Sequence, residues 1–423
     1  IFDQLLADNQ IPKFVRVRHE MDHSHIDDIE GAVAQAMRRE GTLDRIKPGD
    51  SVCITAGSRD VANIARIIRA ICDQVKSVGA HPFIIPAMGS HAGAKAEGQR
   101  GIIEGYGVTE EAMGAPIRAS MDTEVIAHSR SGLEIHLDKF ANAADFLIPV
   151  GRIKAHTDFR GEVESGICKM LVIGMGKQHG AYQCHKLGFK SMAANVKEFA
   201  GAIIEKKPNM FAIGLIENAY HQTCRIEAIP AGRILEEEPP LLEYAKSRMA
   251  KVPFDQADIL FVDETGKDIS GAGMDPNVTG RSPVLGISRP FFQRIAVFDL
   301  TDKSHGNFGG LGSADVTTQR LYRKIDFEQT YPNGITAAEP LAVRLPAVMP
   351  SDRTAMQFAL RTATDCDWEK GPRIVWLKNT LSLSEFYISE ALIPDAEALD
   401  NVTIVSEPME VIFDEEGNVK ELR

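Results

Sequence analysis

Residues 51–86 read SVCITAGSRDVANIARIIRAICDQVKSVGAHPFIIP, and this stretch decides the fold class. Residues 51–55 form a short apolar run of the length and composition of a buried strand. A helical spacing of apolar residues follows, at Ile64, Ile67, Ile68, Ile71 and Val75. Residues 82–86 form a second apolar run of strand length. The order strand, helix, strand predicts a βαβ unit with parallel strands, so we expect an α/β fold.

Similar patterns extend this prediction along the chain. A helix is predicted at 192–204, and apolar runs predict further strands at 146–150, 211–216, 259–262, 295–298 and 374–377. A helical stretch at 239–253 lies between prolines and is a candidate hinge, and 410–422 predicts a hairpin that turns at 416–418.

We therefore expect two α/β domains with mostly parallel sheets and an active site in the cleft between them. The predicted domains are 1–252 and 253–400, with strands in 401–423 packing back on the first domain.

Composition excludes several classes of protein. The chain has 423 residues, 44% of them hydrophobic and 25% charged, which is typical of soluble globular proteins. A net charge of −12 without a basic run argues against nucleic-acid binding. No stretch approaches the roughly 20 apolar residues that span a bilayer. Because the chain starts at Ile1 rather than Met, we expect residues upstream of it.

The cysteines favour the cytoplasm. They are scattered along the chain without the dense spacing of a secreted disulfide scaffold, so a reducing compartment is expected. They are Cys53, Cys72, Cys168, Cys184, Cys224 and Cys366.

Polar loops after predicted strands are the first places to look for chemistry, because ligands of open α/β sheets bind at the carboxyl ends of strands. Arg59, in the loop Gly-Ser-Arg after the first strand, has the fork that binds a carboxylate through two hydrogen bonds. His91 lies in the corresponding Gly-Ser-His loop after the second strand. The alternatives are a surface arginine and a solvated histidine.

A third region concentrates histidine, lysine and cysteine. It comprises GRIKAH at 151–156, SGICK at 165–169, GKQH at 176–179 and QCH at 183–185. One interpretation is a zinc-dependent hydrolase or metal-binding module, with the ligands Cys168, His179, Cys184 and His185. A second makes Cys168 or Lys169 a nucleophile. A third is a non-catalytic protein whose cationic loops bind a carboxylate.

Two other motifs are weaker. His19, His23 and His25 stand among aspartates, which favours a solvated linker over a metal site. Residues 309–312, GGLG, lack the spacing of a dinucleotide-binding loop and are expected to line the cleft.

From about residue 51 to 189, the order of these motifs resembles the lactate racemase family. The resemblance implies a nickel-pincer nucleotide, pyridinium-3-thioamide-5-thiocarboxylic acid mononucleotide, bonded covalently to Lys169. It also implies that His185 is the protein ligand of nickel. His179 is the reserve ligand, because either Lys177 or His179 could displace its neighbour in the alignment.

The same resemblance implies the activity and the remaining roles. The reaction would be a racemase or epimerase reaction that inverts the hydroxyl-bearing carbon of a 2-hydroxy acid or sugar acid by reversible hydride transfer. His91 and His156 would be the acid/base pair, Arg59 would bind the carboxylate, and Lys154 and Ser58 would bind the cofactor. Other proteins would make that cofactor. Substrate contacts from the second domain would come from the segment 267–281, at Lys267, Asp275, Asn277 and Arg281.

Overall fold

The computed structural model describes residues 1–58, 61–282, 287, 289–337 and 339–423. This part of the chain forms two compact units. One comprises residues 22–249, and the other combines residues 1–21 with residues 250–423.

The strands of the described residues are, in chain order, β1 (Phe14–His19), β2 (Ser51–Ala56), β3 (His81–Pro86), β4 (Thr123–His128), β5 (Glu134–Asp138), β6 (Phe146–Ile148), β7 (Val150–Arg152), β8 (Phe211–Glu217), β9 (Thr223–Pro230), β10 (Gln256–Thr265), β11 (Phe291–Leu300), β12 (Val316–Thr318), β13 (Ala347–Met349), β14 (Ile374–Leu377), β15 (Glu385–Ser389), β16 (Val402–Ile404), β17 (Val411–Phe413) and β18 (Val419–Leu422).

The α-helices of the same residues are α1 (Phe2–Leu6), α2 (Ile29–Arg38), α3 (Ile64–Ser77), α4 (His91–Ala94), α5 (Ala96–Gly105), α6 (Glu110–Met113), α7 (Lys139–Ala143), α8 (Ile167–Lys169), α9 (Lys177–His185), α10 (Phe189–Lys206), α11 (Ile234–Arg248), α12 (Pro276–Thr279), α13 (Gln319–Arg323), α14 (Phe327–Ala337), α15 (Asp352–Thr362) and α16 (Ile393–Glu397). A π-helical turn, Met170–Gly174, follows α8.

The unit 22–249 is built on parallel strands covered on both faces. Strand β2 pairs in parallel with β3 and β6, and β7 pairs in parallel with β8. Along β2, Val52 and Ile54 belong to the core that contains the apolar face of α3. Cys53 belongs to the opposite core, which contains the apolar face of α10. Successive side chains of a strand point to opposite faces, so both faces of this sheet are buried.

The second unit has an eight-stranded sheet in the order β13-β12-β11-β10-β14-β15-β1-β16. The five strands from β10 to β14 pair in parallel, whereas β15, β1 and β16 add antiparallel pairs at one side. Strand β10 lies between β11 and β14, which is where the strand order reverses. Such a reversal leaves a crevice at the carboxyl ends of the strands.

These observations confirm the predicted α/β fold with mostly parallel sheets. The terminal hairpin is also confirmed, since β17 and β18 pair antiparallel across a turn at Asp414–Gly417. The predicted strand 146–150 is broken into β6 and β7 at Pro149, a residue without an N–H for the ladder.

The predicted domain limits need correction at both ends of the chain. Residues 1–21 belong with the C-terminal unit, because β1 pairs between β15 and β16. Residues 401–423 also belong to that unit rather than to the first domain. The boundary lies between Met249 and Ala250, directly after α11, which occupies most of the predicted hinge.

Among the described residues, no helix is both long enough and apolar enough to cross a membrane.

Candidate functional site

The loops predicted to carry chemistry in the unit 22–249 follow strands that run in one direction. Ser58 follows β2, His91 follows β3, and Lys154 and His156 follow β7. Strand β7 continues β6 after a single residue, and β6 is parallel to β2. The three loops therefore leave the carboxyl ends of parallel strands, as predicted. Arg59 lies outside the described residues.

The loop of His91 has an unusual backbone. Ala92, Gly93 and Ala94 all have positive φ values, of 54°, 64° and 54°. Alanine rarely adopts this left-handed conformation because of its Cβ atom. The buried amide of Gln99 holds the loop by donating to the carbonyls of Gly89 (2.8 Å) and His91 (3.3 Å). The His91 side chain is exposed at a strained turn, a kind of turn that is enriched at functional sites.

His156 is fixed from both sides of its ring and has 11% of its side-chain surface exposed. Its Nδ1 accepts the backbone N–H of Asp158 at 2.9 Å, and its ring packs on Phe159 with centroids 4.2 Å apart. Its Nε2 lies 2.5 Å from Nζ of Lys169. Its backbone N–H donates to buried Glu164 at 2.8 Å. The structure thus brings two of the predicted residues, His156 and Lys169, into direct contact.

Burial and neighbouring positive charges favour the neutral form of the His156 ring. Burial lowers the pKa of His156 well below 6.5, and the positive charges of Lys169, Lys154, His185 and Arg160 lower it further. A neutral imidazole keeps a lone pair that can accept a proton. The neutral ring of His156 therefore lies in direct contact with the side-chain nitrogen of Lys169.

Lys169 ends α8 and is followed at once by the π-helical turn Met170–Gly174. Isolated π-helical turns are frequent at functional sites. This turn packs on the His91 loop: a Cβ atom at Gly89 would lie 3.1 Å from Ile173 and 3.6 Å from Ala181. The segment that carries Lys169 and the loop that carries His91 therefore pack closely against each other.

His185, the last residue of α9, has one ring nitrogen fixed by its own helix. Its Nδ1 donates to the carbonyl of Ala181 at 2.6 Å, which leaves the lone pair on Nε2. Burial lowers the pKa of His185, and the charge of Lys169 lowers it as well. His179, the reserve ligand, is exposed and stacks on His136 at 5.6 Å, beside β4 and β5. The geometry favours His185 over His179.

Lys177, the other residue that competes in the alignment, is fully buried. Its Nζ lies 3.2 Å from Oδ2 of Asp138, whose side chain is also fully buried, and donates to the carbonyl of Pro86 at the end of β3. Its backbone has a φ value of +54°. This lysine ties β3 to β5 and supports the site from inside.

The interpretation as a zinc site is wrong. Cys168 and Cys184 are fully buried in the core, and burial raises the pKa of both thiols, that of Cys184 to about 12. A zinc site needs four ligands that converge on one ion, whereas both cysteines belong to the apolar core. His179 lies exposed at the β4–β5 hairpin. Within the described ranges, no group of three or more His, Cys, Asp or Glu side chains is arranged to hold a metal ion. This finding also covers the segment that contains His19, His23 and His25. The buried thiol also removes Cys168 as a nucleophile.

Sequence reasoning missed an ion pair beside the first loop. Arg152, the last residue of β7, donates to Glu217 at 2.6 Å, and Glu217 also accepts the N–H of Ala62 at 2.8 Å. Ser58 contributes its carbonyl to the hydroxyl of Tyr106 at 2.8 Å. Arg152 and Glu217 are the last residues of β7 and β8 and come just after the predicted strands 146–150 and 211–216, the position that singled out the other residues.

The residues predicted to bind substrate in the second unit have mixed outcomes. Asp275 caps α12 by accepting the backbone N–H of Asn277 at 2.9 Å, and it also accepts the side-chain amide of Asn277. Lys267 donates to the carbonyl of Gly271 at 2.6 Å. These three lie on the loop that follows β10, at the reversal of strand order.

Arg281 has a structural role. Its guanidinium donates to the carboxylate of Asp315 at 2.5 Å and to the carbonyls of Ser313, Phe292 and Gln293. These four acceptors occupy the fork that the prediction assigned to substrate.

Comparison with known proteins identifies a shared fold. No protein-family model and no curated protein sequence matches the chain. Among solved structures, the lactate racemase apoprotein from Thermoanaerobacterium thermosaccharolyticum matches with a TM-score of 0.53 and 17% sequence identity, over 87% of this chain and 93% of that one. A protein from Thermotoga maritima matches with a TM-score of 0.44 and 10% identity, over 83% and 87% of the two chains. The chain therefore has a fold similar to that of lactate racemase.

Proposed function

We propose that this protein is a racemase or epimerase that inverts the hydroxyl-bearing carbon of a 2-hydroxy acid or sugar acid. The observation that carries the proposal is the contact between Nε2 of His156 and Nζ of Lys169, with His185 in the same electrostatic cluster. These are three of the residues that the family resemblance requires together. The fold shared with lactate racemase agrees with this proposal.

The residues of the site fit a nickel-pincer nucleotide. Lys169 would hold it through a thioamide formed at Nζ, the atom that contacts Nε2 of His156. His185 would bind nickel through Nε2, and imidazole is a suitable nickel ligand. Lys154 and Ser58 would contact the nucleotide. When bound, this group would take a hydride from the substrate carbon and return it, so that this hydrogen would not exchange with solvent.

The chain's own residues would move the hydroxyl proton. Acylation of Lys169 removes its charge and its contact with Nε2 of His156, and the loss of a nearby positive charge raises the pKa of an imidazole. His156 would then be a base for the hydroxyl on one face, and His91 would act on the other. Two opposed bases make both enantiomers reactive.

Positive charge would select the substrate class. Lys154 and Arg160 stand near His156 in addition to Lys169, and their charges lower its pKa. A 2-hydroxy acid is an anion that such a site attracts. Arg59 would bind the carboxylate and fix the carbon between the two bases.

The test uses protein co-produced with the cofactor-making proteins and single enantiomers of 2-hydroxy acids and sugar acids in D2O. We expect inversion without deuterium on the inverted carbon, and a loss of at least about 100-fold in His91→Ala and in His156→Ala. Deuterium on that carbon would show that the carbon is inverted by proton abstraction and not by hydride transfer. Retained carboxylate binding without any inversion, in the wild type and in both variants, would favour the non-catalytic interpretation.

A further inference from the structure

We infer that two buried carboxylates, Glu164 and Glu238, are positioning residues of this site. Glu164 sets the loop of His156, and Glu238 sets the turn of Lys169. The inference rests on the proposed function, because it assumes that His156 and Lys169 are the working groups. Neither glutamate stood out in the sequence, since each lies in a polar stretch that resembles a solvated surface.

Glu164 is fully buried and holds three groups together. Its Oε2 accepts the backbone N–H of His156 at 2.8 Å and lies 3.3 Å from a guanidinium nitrogen of Arg160. Its Oε1 lies 3.0 Å from Nζ of Lys246. Arg160 also donates to the carbonyl of His156. Both backbone polar groups of His156 are therefore fixed by this ion cluster, which sets the position of the imidazole.

Glu238 is also fully buried, but its partners are different. Its Oε2 accepts the backbone N–H of Cys168 at 2.8 Å, at the start of the turn that ends in Lys169. In the described part of the chain, no lysine or arginine pairs with it, and burial raises its pKa. Residue 166 is glycine for a steric reason: a Cβ atom there would lie 2.1 Å from Oε1 of Glu238. Carboxylate and turn are thus fitted to each other.

Helix α11 contributes to both supports, because it carries Glu238 itself and Lys246, the partner of Glu164. Glu238 and Lys246 lie eight residues apart on α11, about two helical turns, so that they reach the two halves of the site from similar sides of the helix. The two supports have different chemistry. Glu164 is a charge between two cations, so an amide cannot replace it. Glu238 is an acceptor for an N–H, and the amide oxygen of glutamine supplies the same bond.

The experiment measures acylation of Lys169 in the apoprotein, which requires neither cofactor nor substrate. A dilute acylating reagent is applied from pH 6 to pH 10, and peptide mass spectrometry compares Lys169 with the exposed Lys47 in the same molecule. The variants are Glu164→Gln, Glu238→Gln, Glu238→Leu and Gly166→Ala. Glu236→Gln is the matched control, because it lies exposed on the same helix.

We expect Glu164→Gln, Glu238→Leu and Gly166→Ala to slow acylation of Lys169 by about tenfold or more and to move its pH midpoint, with Lys47 unchanged. Glu238→Gln should stay within about twofold of the wild type, because it keeps the acceptor. Gly166→Ala and Glu238→Gln keep the experiment informative if Glu238→Leu does not fold.

An unchanged Lys169 profile in folded Glu164→Gln or Gly166→Ala would overturn the inference, as would equal effects of Glu238→Gln and Glu238→Leu. The proposed function fails differently. It fails if no thioamide forms on Lys169 in the co-produced protein, whatever the acylation profile of the apoprotein.

Discussion

Replacing Lys177 by methionine should destabilise the unit 22–249 by about 3–5 kcal/mol, because it leaves a buried charge without its partner. Nζ of Lys177 lies 3.2 Å from Oδ2 of Asp138, and both side chains are fully buried. Methionine fills similar volume and keeps the backbone penalty of the positive φ value. The loss therefore measures the ion pair and the bond to the carbonyl of Pro86.

A double-mutant cycle separates the pair from its surroundings. Asp138→Asn alone leaves the ammonium of Lys177 buried, although the amide oxygen still accepts the N–H groups of Phe140 and Ala141 that Asp138 caps. The double variant removes both charges together. It should cost well below the sum of the single changes, with a coupling energy of about 2–3 kcal/mol.

The assay is hydrogen exchange of the peptides that contain β2 and β3, read by mass spectrometry. Tryptophan fluorescence does not report on this unit, because Trp368 and Trp376 both lie in the other one. Lys197→Met is the control. It breaks an exposed pair with Glu162, which should cost about 0–1 kcal/mol. Additive effects in the cycle, or a Lys177→Met cost no larger than that of Lys197→Met, would refute the reasoning.

Three further outcomes are expected. Burial raises the pKa of Asp263 to about 6, and Asp263 accepts the indole N–H of Trp376 at 2.6 Å. Fluorescence should therefore titrate near pH 6 and lose that transition in Asp263→Asn, and persistence of the transition in the variant would contradict the assignment. Ala92→Gly should stabilise the His91 loop by up to about 1 kcal/mol, since relief of the left-handed backbone outweighs the added freedom of the unfolded chain; lower stability would show that the turn is unstrained. The folded-state pKa of His156 lies below 6.5, so the unfolded chain binds the extra proton and stability should fall as pH drops below 6.5. His156→Gln should flatten that decline in hydrogen exchange, and an equal decline in the variant would assign it to other groups.

Local patterns carried most of the fold. The strand predicted at 374–377 has the bounds of β14, and 51–55 falls short of β2 by one residue. These strands are buried on both faces and therefore appear as continuous apolar runs. Strand β1 was missed because its stability comes from pairing with β15 and β16, some 370 residues away, which no local period encodes.

The candidate site was predictable only in part. Strand ends located His91 and His156, since loops after parallel strands gather at one edge of a sheet, whereas Lys169 was assigned through the family resemblance. Lys169 and Lys177 differ in burial, and the sequence alone does not show which lysine is buried. Glu164 and Glu238 are hidden for the same reason: a glutamate becomes a buried support only when distant elements close over it. The cysteines misled in the opposite direction. Their closeness in sequence to histidines suggested a metal site, whereas the thiols of Cys168 and Cys184 lie in the core.

The most direct test of the central claim is the intact mass and metal content of the protein co-produced with the cofactor-making proteins, followed by peptide mapping. Lys169→Arg and Lys177→Met are the paired variants. The account predicts an adduct on Lys169 with about one nickel per chain, absent from Lys169→Arg and retained in folded Lys177→Met. Full-length protein of unmodified mass, or an adduct on another residue, would contradict it.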